Sequence, residues 1–313
     1  MRLQRALTAV GHEDKHVACH HHRGFTLLEL LVVIVVISIL AALLLPAFNH
    51  SKQKAQGVMC TSNHRQLFLA LSLYAEDNEW LPPNEFQEAP VGTPYWITQD
   101  IRTSESTNIN LLMDDRTSYL ARYVGRQYRV FKCPGDPNKW KDPAGTAWPR
   151  VRTYAMNFAI GTHQGLYRAV DARDLDWPTL PGNTAAGGPY RTYGRFKDMV
   201  NPKPTELFVF IDQDVCQFGL NEVGPGTINT ACFIVPMNRP VTVSSWPGNY
   251  HNIACTLSFA DGHAEMHKWR DPRTYQYRVT ETYGATGGGT YQGNPDNQDF
   301  LWIMGHTSAL VGQ

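Results

Sequence analysis

Leu30-Leu31-Val32-Val33-Ile34-Val35-Val36-Ile37-Ser38-Ile39-Leu40-Ala41-Ala42-Leu43-Leu44-Leu45 is the stretch on which the fold turns: sixteen residues, of which only Ser38 is not apolar. Extended back to Phe25 it covers 21 residues and gains only Thr26 and Glu29 as polar members. As an α-helix that length rises about 31 Å, close to the ~30 Å hydrocarbon core of a bilayer. The run is rich in Val and Ile, yet a lone strand in lipid leaves its backbone groups unsatisfied, so a helix is expected. The run predicts one transmembrane helix. A cleaved secretory signal has a shorter apolar region followed by small residues, and Leu43-Leu44-Leu45-Pro46-Ala47-Phe48 is a poor cleavage site. A lipoprotein signal needs a Cys directly after the run, and the next is Cys60. A buried core helix is the remaining alternative.

Toward the N-terminus, Glu29 is the anomaly. A carboxylate near the bilayer centre costs about 2.5–3.5 kcal/mol on insertion scales, and an intramembrane ionisable group marks function by default. The plain alternative is an interfacial carboxylate that reaches back to water. The residues around it form an ordered set, Arg23-Gly24-Phe25-Thr26-Leu27-Leu28-Glu29-Leu30, followed by the apolar run. This set resembles the class III signal of type IV prepilins and type II secretion pseudopilins. The resemblance implies that a prepilin peptidase cuts after Gly24 and N-methylates Phe25. Glu29 then becomes the fifth mature residue and Pro46 the twenty-second. In that family the Glu of one subunit neutralises the α-amine of its neighbour in the filament, which makes Glu29 the assembly charge. A buried charge that loses its partner is costly. Pro46 lacks an N–H and is expected to kink the helix.

Residues 1–24 are then a leader. They hold Arg2, Arg5, Lys15 and Arg23 against Glu13 and Asp14, which places this end in the cytoplasm. Lys52, Lys54 and Arg65, just beyond the span, weaken that bias. Cys19 and His20-His21-His22 fall in the segment to be discarded.

Beyond the span the helix is expected to continue over 46–79. Phe48, Ala55, Met59, Leu67, Ala70 and Tyr74 recur on one face, with Lys52, Gln53, Gln56, Asn63 and Arg65 on the other. Gly57 weakens it by about 1 kcal/mol relative to Ala, and Pro82-Pro83 stops it. The outer half should lay its apolar stripe on a head formed by 80–313.

Composition sets the outer bounds. The chain has 313 residues, with 28 Lys+Arg against 28 Asp+Glu. That balance argues against a nucleic-acid partner, which calls for a basic excess. The mean hydropathy of −0.34 excludes a polytopic membrane protein. Aromatic residues make up 11% of the chain, enough for a sizeable core. After Pro82, short apolar runs are punctuated by Gly and Pro. Leu207–Ile211 reads as a buried strand ending at Asp212. Residues 253–260 alternate as a half-buried strand. Asp261-Gly262 is a hairpin turn signal, with His263 to Trp269 as the return strand. His263, Glu265 and His267 should form a solvated face. Stretches 182–188 and 284–293 read as loops.

A second resemblance sits in this region. His251, nine residues, then Asp261-Gly262 is similar to the C-terminal signature of bacterial pseudopilin-like proteins that also carry a prepilin start. Segments Cys60 through Tyr74, Phe131-Lys132-Cys133-Pro134-Gly135-Asp136, Tyr154-Ala155-Met156-Asn157 and Asn294-Pro295-Asp296 look like the same group. On the structural reading, Asp261-Gly262 makes the turn and His251 caps or hydrogen-bonds near the strand start. No metal or cofactor is expected. The sharper alternative, from the Ca²⁺ bound by related major pseudopilins, offers Asp212, Asp214 and Asp261 as weak candidates, with His251 favouring a transition metal. Without the leader, five cysteines remain. Cys60 with Cys133 is the preferred disulfide, both lying in family-like segments; Cys216 with Cys232 is second. Cys255 has strand periodicity and reads as a buried thiol.

The expected fold is α+β: a pilin-like long N-terminal helix, transmembrane in its first half, packed on an antiparallel sheet with large loops. The expected function is that of a non-enzymatic, pseudopilin-like structural subunit. It would assemble through its helix into a type II secretion pseudopilus or a type IV pilus-like fibre. The implied partners are a prepilin peptidase, other pilin or pseudopilin subunits and the inner membrane, with the N-terminus cytoplasmic and the head periplasmic or on a cell-surface fibre. The alternative is an anchored extracytoplasmic ligand-binding or enzymatic domain exported by the same route. Tyr95-Trp96, Trp140, Trp148 and Trp246 would then be glycan-binding candidates. A monomer that only borrows the pathway is a third reading.

Overall fold

The computed structural model describes residues 26–84, 95–99, 103–161, 190–214, 231–233, 235, 237, 242–243, 245–276, 291–292 and 296–310. Gly24, Phe25, Cys216 and the 182–188 loop lie outside the described residues, as does 284–293 apart from Tyr291 and Gln292. The elements in chain order are α1 (Leu27–Asn78), α2 (Asn110–Met113), β1 (Lys139–Lys141), β2 (Ala147–Pro149), β3 (Tyr154–Asn157), β4 (Phe208–Asp214), β5 (Cys232–Phe233), β6 (Thr242–Val243), β7 (Trp246–Pro247), β8 (Ala254–Phe259), β9 (Ala264–Lys268), α3 (Pro272–Tyr275), β10 (Tyr291–Gln292) and α4 (Gln298–Gly305). The chain divides into two compact units, 1–49 and 50–313.

The first unit holds the apolar half of α1, and its described residues from Thr26 to Phe48 are exposed in the single chain. Among the described residues α1 is the one helix long and apolar enough to cross a membrane. Leu, Val and Ile side chains in such a run are stable where lipid or another apolar surface replaces water. The helix runs on through Pro46. It ends at Asn78, where Glu79 takes φ +65°, the left-handed turn that commonly stops helices. The stop therefore precedes Pro82-Pro83.

The second unit is built on a six-stranded sheet of order β5-β3-β4-β8-β9, with β7 pairing the end of β4. Neighbours are antiparallel except β3 and β5, which run parallel. The expected antiparallel sheet is thus mixed only at its β5 edge. The sheet has a core on each face. On one side Leu67, Leu71 and Tyr74 of α1 share a core with Tyr154, Met156, Val209 and Phe210. On the other, Ala155, Phe208, Ile211, Cys255, Leu257 and Phe259 pack with Phe300, Ile303 and Met304 of α4. A register shift between Phe208 and Phe210 lets β4 supply two adjacent residues, Val209 and Phe210, to the first core. α4 starts at Asn297, whose side chain accepts from the Asp299 and Phe300 amides at 3.0 and 3.2 Å.

Coverage on both faces corrects the half-buried reading of 253–260, since β8 is buried at every position. The docking face of α1 is also corrected. Gly57, Cys60, His64, Leu67, Ala70, Leu71 and Tyr74 are buried, whereas Phe48, Ala55 and Met59 are exposed. Gln56 and Asn63, expected on the polar side, donate to the carbonyls of Pro134 and Lys132 at 2.9 and 3.1 Å. Gly57 has a packing reason: a Cβ there would lie 2.6 Å from Met266 Sδ.

Candidate functional site

At the start of α1, Thr26 and Glu29 form a reciprocal cap. The Glu29 amide donates to Thr26 Oγ1 at 3.2 Å, and Glu29 Oε2 accepts from the Thr26 amide and hydroxyl at 2.8 and 2.9 Å. This Thr-x-x-Glu box satisfies amides that the first helical turn leaves without carbonyl partners. The Thr-x-x-Glu spacing is itself legible in the sequence as a capping signal. In the single chain the Glu29 carboxylate is thus held by its own backbone.

In the second unit the fold gathers residues far apart in sequence. Cys60 and His64 come from α1, one turn apart. Cys133 comes from the segment after a 3₁₀ turn at Tyr128–Phe131, Asp212 from the end of β4, and His251 from the turn before β8. All five are buried. One donor atom each from Cys60, Cys133, Asp212 and His251 lies within 4.8 Å of all the others. Cys133 Sγ is 3.1 Å from His251 Nε2. Cys60 Sγ is 3.3 and 3.5 Å from the two Asp212 oxygens, and His251 Nε2 is 3.8 Å from Oδ2.

A second ring of contacts holds these groups. His64 Nε2 sits 3.2 Å from Asp212 Oδ1, and the Thr256 amide donates to Oδ2 at 2.9 Å. The Tyr154 hydroxyl is 3.3 Å from Cys60 Sγ, and the Gly135 amide donates to Cys133 Sγ at 3.3 Å. Burial pushes the Cys60 thiol well up, helped by Cys133 and Asp212, and burial raises Cys133 too. Burial lowers His251, against the pull of Asp212. Burial also acts to lower His64, but its hydrogen bonds to Asp212 and Cys60 outweigh this and raise it to about 9.

The expected Cys60–Cys133 disulfide is corrected: both are free, buried thiols, engaged with Asp212, Tyr154 and His251. For the second pair, Cys232 is buried on β5 and Cys216 lies outside the described residues. Cys255 is a buried thiol. The three Asp candidates do not converge. Asp212 is in the cluster, Asp214 meets Asn138 at 3.3 Å, and Asp261 holds the His263 amide at 3.1 Å in the β8–β9 turn.

The His-x9-Asp-Gly element acquires a geometric sense. β8 fills the interval, and both of its ends face α1. A Cβ on Gly57 would lie 3.7 Å from the His251 ring, and one on Gly262 would meet Phe68 at 2.9 Å. The His251 side chain meets Cys133, while its backbone amide donates to the Ala254 carbonyl at 3.2 Å. Two other expectations change. His267 stacks on Trp302 at 3.7 Å and His263 on Phe259 at 4.3 Å, so that face is partly covered rather than wholly solvated. Of the aromatic candidates for glycan contact, Tyr95, Trp96 and Trp246 are core residues. Trp148 is exposed and donates to Asp142, facing half-buried Trp140 across β1 and β2.

The prokaryotic N-terminal methylation motif matches residues 19–45. The chain is 35% identical over 83 residues to type II secretion system core protein G of Pectobacterium carotovorum subsp. carotovorum, covering 26% of this chain and 53% of that protein. It is 41% identical over 78 residues to the protein of the same name in Escherichia coli (strain K12), covering 25% and 54%. It is 34% identical over 65 residues to competence protein ComGC of Halalkalibacterium halodurans, covering 21% and 64%. The chain thus spans about half the length of the first curated relatives it matches. No solved structure matches. The chain carries a prepilin-type N-terminal methylation motif and is homologous, over about a quarter of its length, to type II secretion core protein G.

Proposed function

We propose that this protein is a pseudopilin-like structural subunit. Residues 1–24 are a leader that a prepilin peptidase removes between Gly24 and Phe25, with N-methylation of Phe25. Residues 25–45 span the inner membrane, 46–79 continue the helix, and 80–313 form an extracytoplasmic head. Assembly through α1 into a type II secretion pseudopilus or a type IV pilus-like fibre is its chemistry, which is association rather than catalysis. The observation that carries this reading is the methylation motif over 19–45 leading into one 52-residue helix.

On this reading Glu29 exchanges partners. Its bonds to Thr26 cap the helix of the free subunit, and in the fibre the carboxylate meets the methylated amine of a neighbour. A desolvated ion pair there replaces a cap that keeps the charge near the interface. The test is co-expression with a prepilin peptidase and the assembly platform, comparing wild type with Glu29→Gln. The variant is expected to be cleaved like wild type but to be lost from sheared fibres. Normal incorporation of Glu29→Gln would remove the assembly role.

A further inference from the structure

We propose that Cys60, Cys133, Asp212 and His251 are the four ligands of a structural zinc site that fastens α1 to the sheet of the head. This inference rests on the second unit alone and stands independently of fibre assembly.

Zinc bonds of ~2.3 Å to sulfur and ~2.0–2.1 Å to nitrogen or oxygen, set tetrahedrally, put neighbouring ligand atoms about 3.3–3.8 Å apart. With Asp212 Oδ2 as the carboxylate donor, the three pairs in contact lie at 3.1 Å (Cys133 and His251), 3.5 Å (Cys60 and Asp212) and 3.8 Å (His251 and Asp212), and one donor set of the four residues falls within 4.8 Å. Small shifts from these positions bring all four onto one ion.

Ligand type then selects the metal. Two sulfurs, one imidazole and one carboxylate form a four-coordinate, mixed soft and borderline set that suits zinc. Calcium takes six to eight oxygens, and this set offers one carboxylate. All four ligands are buried, as in closed structural sites, which leave no position for substrate.

Three of the four groups carry outer contacts of the kind that orient metal ligands, while His251 Nδ1 is buried without a hydrogen-bond partner among the described residues. Ligating groups are oriented by outer hydrogen bonds. Here the Gly135 amide points at Cys133 Sγ, and His64 Nε2 and the Thr256 amide fix the two oxygens of Asp212. Tyr154 borders Cys60. Gly135 itself allows the approach, because a Cβ there would stand 3.0 Å from the His251 ring. On binding, Cys60 and Cys133 each release a thiol proton to solvent, and no electron is transferred.

The four ligands come from α1, the 131–136 segment, β4 and the turn before β8, so one ion ties together the parts of the head that meet beneath the helix. The free energy of binding then becomes part of the folding free energy.

The experiment uses the full chain, purified in detergent without chelator, with metal measured by plasma mass spectrometry. Zinc equimolar with protein is expected, falling to background in Cys133→Ser and staying unchanged in Cys255→Ser, whose thiol is buried nearby but is not a ligand. Cobalt offered to the wild-type apoprotein should give thiolate charge-transfer bands and the strong visible bands of a tetrahedral ion, which decides the matter even if Cys133→Ser fails to fold. A wild-type chain that stays metal-free when offered zinc and cobalt overturns the proposal. So does a non-reduced digest in which Cys60 and Cys133 are joined as a disulfide.

Discussion

Gly262→Ala is the substitution that asks whether the Asp-Gly turn is a docking point for α1. Gly262 has φ +93°, a region L-residues avoid, and placing Ala in left-handed backbone costs roughly 1–2 kcal/mol. The added Cβ would also lie 2.9 Å from Phe68 Cε1 and 3.2 Å from Cδ1, well inside the ~3.5–4.0 Å optimum for carbon contacts. The obstacle is the half-buried Phe68 ring, 5.7 Å from Phe196, which must shift to admit the methyl. Overpacking of this kind typically costs about 1–3 kcal/mol. The two together predict a loss of about 2–5 kcal/mol, a large share of the 5–15 kcal/mol available to a typical domain. Urea unfolding of the full chain in detergent, followed by tryptophan fluorescence, should show a lower midpoint at unchanged slope. The steric share can be isolated in a Phe68→Ala background, where Gly262→Ala should cost only the backbone share. The cycle should then show a coupling of roughly 1–3 kcal/mol. An identical loss in both backgrounds would refute the helix contact, and no loss in either would refute the turn geometry.

Other consequences follow from the packing. Leu67 is fully buried between α1 and the sheet, so Leu67→Ala should cost about 2–5 kcal/mol in the same assay; a loss near zero would mean that the outer half of α1 does not dock there. Thr26→Val removes the oxygen that caps the Glu29 amide and should speed exchange of that amide in micelles, by an amount equivalent to about 1 kcal/mol, with no change at mid-helix amides. His267 is lowered by burial, outweighing Asp299 and Glu265, which raise it, and in the same direction as His306 and Arg270. The unfolded chain therefore takes up this proton first as pH falls below about 6.5, and stability declines through that window. His267→Phe keeps the stack on Trp302 and should flatten that part of the pH profile; an unchanged profile would mean that His267 titrates normally in the fold.

Much of this architecture was legible from residues alone, because apolar length is a direct signal. The run from Leu30 to Leu45 fixes a helix that lipid can hold, and Leu207–Ile211 announces the central strand. The side of α1 that docks was harder to see. A period counted on Phe48, Ala55 and Met59 passes over Gly57, Cys60 and His64, which are small or polar by type yet buried in the fold. For β8, Thr256 and Ser258 look solvent-facing by type, yet the fold buries them. The four-ligand cluster was invisible as a set, since its members are separated by dozens of residues and share no ligand spacing. Only the pairing of β4 with β3 and β8, under α1, brings them together. Cys60 and Cys133 read from sequence as a disulfide pair, and Asp212 and His251 as weak metal candidates, but nothing in the sequence joins the two pairs.

The central claim is processing at the head of the methylation motif, and the most direct measurement is the mass of the chain's own N-terminus. The full chain, made alongside a prepilin peptidase and taken from the membrane, should yield an N-terminal peptide beginning at Phe25, heavier than the unmodified peptide by one methyl group in place of a hydrogen. A chain that retains residues 1–24, or one cut beyond Pro46, would contradict the account and leave 25–45 as an ordinary anchor or signal.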